Sequence, residues 1–80
     1  MTLFVLTHHH EPHECGAAAA AWKGFRSPLR HGRAVSSCVE GGHHAWWVVE
    51  APDARAALAQ LPPFVADRTE AEPAREAEVP

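Results

Sequence analysis

Apolar and polar positions along this chain fall into short runs whose period changes from one to the next. Leu3-Phe4-Val5-Leu6-Thr7 is apolar and partly β-branched, which predicts a first strand buried on both faces. Pro12 suits the first turn of a helix, where its missing N–H has no partner to lose, and Glu11 and Glu14 suit the positive pole. From Glu14 to Lys23 the alanine-rich run has high helix propensity, with Cys15, Ala18, Ala19 and Trp22 on one stripe. Gly24 ends this helix, and Ser27 to Gly32 reads as a loop.

Ala34–Glu40 and His43–Glu50 are strand-like and flank Gly41-Gly42, which predicts a hairpin with a two-residue turn. That turn would set Glu40 opposite His43, Val39 opposite His44, Cys38 opposite Ala45 and Ser36 opposite Trp47. Val35, Val39, Trp46 and Val48 then share one face, and Cys38, Ala45, Trp47 and Val49 the other. A second helix starts at Pro52-Asp53 with Asp53 as N-cap and Ala54, Ala57, Leu58 and Leu61 as its apolar stripe. Pro62-Pro63 interrupts it, and Phe64-Val65-Ala66 adds a turn. Residues 69–80, acidic and proline-punctuated, read as an edge strand or a partly disordered tail.

The order β-α-β-β-α, then a weak β, is the ferredoxin-like split βαβ pattern of an α+β fold. Residues 1–80 make a single such domain, with an antiparallel sheet and its helices on one face. Right-handed crossover puts the third strand between the first two, antiparallel to both. Both faces of the first strand and of the hairpin are apolar, yet two helices cover only one face. The other face is expected to bury against a second copy, giving a homodimer.

Composition changes the picture in one respect. The formal charge of −3 gives no reason to expect nucleic acid or an anionic membrane as partner, and Arg26, Arg30, His31 and Arg33 read as a solvated loop. Met1 runs straight into a strand without a basic segment before it, so the expected compartment is the cytoplasm, with Cys15 and Cys38 as reduced thiols. Histidine is the anomaly: seven occur in 80 residues. The split βαβ topology brings the end of the first strand, the start of the first helix and the hairpin turn to one sheet edge. His8, His9, His10, His13, Cys15, His43 and His44 should therefore converge there.

Imidazole and thiolate are ligands of transition metals rather than of calcium or magnesium. The candidate ligands are His8, His10, His13, Cys15, His43 and His44, for divalent nickel, zinc or copper; Glu11 and Glu14 are placed to orient them. Cys38 reads as a core residue, and Cys15 reads equally as ligand or inert buried thiol. Trp22, Trp46 and Trp47 read as core or interface.

By element order over residues 1–79, and by the histidine stretch after the first strand, the chain resembles the dimeric α+β-barrel superfamily. Within it, the likeness is to the small actinobacterial ferredoxin-like proteins that include nickel-binding members. The resemblance implies metal ligands at His8, His9 and His10. Three function classes follow: a small transition-metal-binding protein, which the ligand cluster favours; a metal-dependent enzyme of oxygenase or isomerase type; and a metal-free interaction module. No nucleophile and base stand out, which leans away from catalysis.

Overall fold

The computed structural model describes residues 1–80. Strand β1 runs over Thr2–His9 and is followed by a 3-10 turn, Pro12–Glu14, that leads into helix α1, Cys15–Ala20. Strands β2 (Val35–Ser36) and β3 (His44–Ala51) come next, then helices α2 (Ala54–Leu58) and α3 (Pro63–Ala66), and strand β4 (Thr69–Ala74). The four strands form one antiparallel sheet in the order β2-β3-β1-β4. The chain is thus a small α+β unit in which β3 lies between β1 and β2, as the crossover argument expects.

Alternation along the strands decides which face the helices cover. Phe4 and Leu6 of β1 with Val49 and Ala51 of β3 bury against Ala57, Leu61 and Val65 from the α2–α3 region. Leu6 is 0% exposed, so its replacement by alanine removes about 2–5 kcal/mol of folding stability, a large share for so small a core. Asp53 caps α2 by accepting from the Ala56 N–H at 2.8 Å. Pro73 sits in β4, an edge strand, where an absent N–H costs no ladder bond.

The hairpin differs from the sequence expectation. Val35 pairs with Trp46 and Ser36 with Ala45, so the register is displaced by two residues from the one a Gly41-Gly42 turn would set. An even displacement keeps the side chains that remain paired on their expected faces. The strand is shorter because Ser37 ends it: Ser37 O accepts from the N–H groups of Glu40 (3.0 Å) and Gly42 (2.9 Å). Ser37 Oγ also accepts from the His44 N–H at 3.1 Å. These bonds turn Cys38–His43 into a compact loop, in place of two paired strand ends. The first helix is likewise shorter than the expected Glu14–Lys23, the Pro12–Glu14 turn having 3-10 geometry.

Candidate metal centre

Three chain segments meet at the end of the sheet. His10 follows β1, and its N–H donates to the His43 carbonyl at 3.1 Å, which carries the β1–β3 ladder one step beyond the strand ends. Cys15 opens α1 immediately after the 3-10 turn. Cys38 and His43 stand at the two ends of the loop just described. His43 has a φ of 56°, a left-handed conformation that a non-glycine residue adopts at a cost of about 1–2 kcal/mol.

One ligand atom from each of His10, Cys15, Cys38 and His43 lies within 4.8 Å of the other three. The Cys15 and Cys38 sulfurs are 3.7 Å apart, too far for a disulfide bond, and both cysteines are free thiols. His43 Nδ1 is 3.3 Å from Cys15 Sγ and 3.7 Å from Cys38 Sγ, while His10 Nε2 is 3.6 Å from Cys38 Sγ. Tetrahedral zinc with bonds of about 2.3 Å to sulfur and about 2.0 Å to nitrogen has sulfur–sulfur edges of about 3.8 Å and sulfur–nitrogen edges of about 3.5 Å. The three separations at Cys38 and the one between Cys15 and His43 fall close to these edges, and the remaining two lie within 4.8 Å. These residues lie close enough to hold one metal ion.

The histidine behind His10 sets its orientation. His8 is 2% exposed and His10 7%. His8 Nδ1 donates to the Val65 carbonyl at 3.3 Å and lies 3.1 Å from Thr69 Oγ1, whose hydroxyl donates to that carbonyl at 2.6 Å. A carbonyl only accepts, so the His8 proton is on Nδ1 and Nε2 keeps its lone pair. His8 Nε2 then accepts from His10 Nδ1–H at 2.9 Å, which leaves the His10 Nε2 lone pair facing the cluster. A ligating histidine held through its other ring nitrogen is a common way of fixing metal geometry. Burial lowers the pKa of both rings below the ordinary value, so both stay neutral, as ligation requires.

Cys15 is held by an ion pair from its neighbour. Arg68 Nη2 and Nε donate to Glu14 Oε2 at 2.9 and 3.0 Å, and the Glu11 N–H donates to Glu14 Oε1 at 2.9 Å. The Arg68 hydrogen bonds, with the Glu11 N–H second, hold the Glu14 carboxyl down at about 2. The Cys15 thiol is instead pushed up, first by desolvation and then by the Cys38 thiol beside it. The N-terminus of α1 would favour thiolate, but in a helix of six residues it does not outweigh these.

Of the six ligands expected from sequence, the structure brings His10, Cys15 and His43 together. His8 stands behind His10, as described. His13 is exposed on the 3-10 turn, outside the cluster. His44 projects to the opposite face, where it stacks on Trp46 with ring centroids 5.6 Å apart. His9 pairs with His44 across that face. Cys38, read from sequence as core, is half-buried and faces the cluster. The available signal was its spacing from His43 around Gly41-Gly42, which suits two ligands presented by one tight loop. Comparison of the chain with protein-family models, with curated proteins and with solved structures finds no match.

Proposed function

We propose that this chain is a small zinc-binding protein in which His10, Cys15, Cys38 and His43 hold one Zn²⁺ tetrahedrally. The observation that carries this reading is that four of the six sulfur and nitrogen separations fall between 3.3 and 3.7 Å, near zinc's preferred edges, with the other two within 4.8 Å. Two thiolates with two imidazoles favour zinc over nickel or copper, whose divalent ions prefer square-planar or tetragonal nitrogen and oxygen sites. Four protein ligands also leave no open coordination position, which favours a structural or metal-handling role over catalysis. The strand order supports a ferredoxin-like split βαβ fold, and reduced thiols fit a cytoplasmic setting. No helix is long and apolar enough to cross a membrane.

The test is metal titration of the chain and of single variants. The unaltered protein should take up one Zn²⁺, and its cobalt form should show a tetrahedral spectrum with thiolate charge transfer. Cys38→Ser and His43→Ala should each weaken zinc binding by more than about 100-fold, since they remove a ligand and not merely its support. His13→Ala should leave binding unchanged. A cobalt spectrum without thiolate bands, or equal effects of Cys38→Ser and His13→Ala, would overturn the assignment.

A further inference from the structure

Two cavities meet on the helix-covered side of the sheet. The inner one, about 260 Å³, is walled by Ala18, Trp22, Ala45 and Trp47 and ends at Cys15 and Cys38. The outer one, about 350 Å³, is walled by Leu29 and rimmed by Lys23, Arg30 and His31. They share Ala19, Trp22, Ala34 and Trp47, so they form one groove running from the thiol–imidazole cluster to a basic mouth. The Trp22 and Trp47 rings pack on each other with centroids 6.0 Å apart and line its middle, where the small side chains of Ala19 and Ala34 leave it open.

The charge at the mouth is segregated from the rest of the chain. No Asp or Glu occurs between Cys15 and Val39, yet four of the seven Lys and Arg residues do: Lys23, Arg26, Arg30 and Arg33. This cationic stretch belongs to a molecule of formal charge −3. The sole salt bridge joins Glu14 to Arg68, so Lys23 and the half-buried Arg30 have no carboxylate partner within the chain. The loop that presents Arg30 is itself fixed. Ser27 Oγ donates to the Gln60 carbonyl at 2.6 Å and accepts from the Leu29 N–H at 3.1 Å. His31 adopts a φ of 65°, the left-handed conformation that closes this loop.

We infer that this groove binds an amphipathic organic carboxylate, its apolar body against the Trp22–Trp47 wall and its carboxylate at Arg30 and Lys23. A guanidinium meets a carboxylate through two parallel hydrogen bonds, and an apolar concavity with a few convergent polar groups is the usual form of a small-molecule site. Tryptophan supplies large apolar contact area at little entropic cost. The inference does not depend on the metal: the ligand contacts the wall of the cluster without displacing a metal ligand.

The probes are 1-naphthylacetate and its neutral amide, titrated calorimetrically and by ¹⁵N–¹H correlation spectra into the full chain with and without added zinc. The acid should bind about tenfold or more tightly than the amide, the gain from a charged hydrogen bond at the mouth. Shifts should concentrate at the indole N–H signals of Trp22 and Trp47 and spare Trp46, which lies on the other face. Arg30→Gln should remove the preference for the acid while retaining amide binding. Ala19→Phe, an exposed helix position, should block both probes without changing zinc stoichiometry; Arg55→Gln, outside the groove, should change neither. Equal affinity for acid and amide, insensitivity to Ala19→Phe, or no binding of the acid would overturn the inference. Acid binding by a chain that takes up no zinc would overturn the proposed function and leave the groove standing.

Discussion

At the scale of single residues, the centre depends on a directional chain of hydrogen bonds, Val65 carbonyl to His8 to His10, whose far end is a ligand lone pair. Replacing His8 with alanine removes no metal ligand, yet it frees the His10 ring and leaves its Nδ1–H unpaired in a buried place. Zinc affinity should fall about 10–100-fold, measured by competition with a chromophoric chelator. An effect equal to that of Cys38→Ser would mean that His8 is itself a ligand. The same chain is sensitive to acid. A second proton on either ring would set two donors against each other at 2.9 Å. Both rings have folded-state pKa values below the ordinary 6.5, so the unfolded chain takes up protons that the folded chain refuses. Stability of the metal-free protein should therefore be full above pH 6.5 and decline as pH falls below it. Denaturant midpoints measured from pH 8 to pH 5 check the sign, and His8→Ala should flatten the decline.

At the scale of elements, the Cys38–His43 loop is the part under tightest steric control. A Cβ on Gly42 would press on Ser37 Oγ and stand 2.9 Å from Ser37 Cβ, disturbing the oxygen that accepts from the His44 N–H. Gly42→Ala should cost about 1–3 kcal/mol and loosen zinc together with it. Gly16, inside α1 with nothing within 4 Å of its would-be Cβ, should behave oppositely. Gly16→Ala should add about 0.5–1 kcal/mol to stability, read by chemical denaturation of the zinc-loaded protein. This loop also marks the limit of what the sequence discloses. The strand of apolar alternation in β3, the Asp53 cap and the convergence of β1, α1 and the hairpin on one edge are legible, because each follows from local period or from handedness. The register is not, because the bonds accepted by the Ser37 carbonyl and hydroxyl close a longer loop than the glycine pair would. With the register went Cys38: on an extended strand it reads as core, and only the loop turns its sulfur toward Cys15. His8 and His10 look equivalent in sequence, since they share a side of the strand. Their difference arises from Val65 and Thr69, some 60 residues away, and no spacing rule reports that.

At the scale of the whole molecule, the sheet face that the helices leave bare carries an apolar patch bordered by Glu50, Glu70 and Glu72. Val35 and Val48 are 72% and 65% exposed, and Val5, Trp46 and Leu3 continue the patch across β1 and β3. Such a patch on a chain of 80 residues fits a self-complementary contact about a two-fold axis. Light scattering should give a dimer at micromolar concentration, and Val48→Glu should give a folded, zinc-binding monomer; a monomeric unaltered chain would count against the contact. The metal centre has a further consequence when the chain is considered as a mechanical object. A single ion held by His10 and His43 would close the intervening roughly 30 residues into a ring. A pull on the two ends of the chain would then load β1, β3 and β4 while α1, the basic loop and β2 sit outside the line of force. In an optical trap, the zinc-loaded molecule should extend on unfolding and stop short. Its remaining contour, on the order of 100 Å at about 3.4 Å per residue, should appear only when the ion lets go or a chelator is added. Cys38→Ser and His43→Ala molecules should release their whole length in one step.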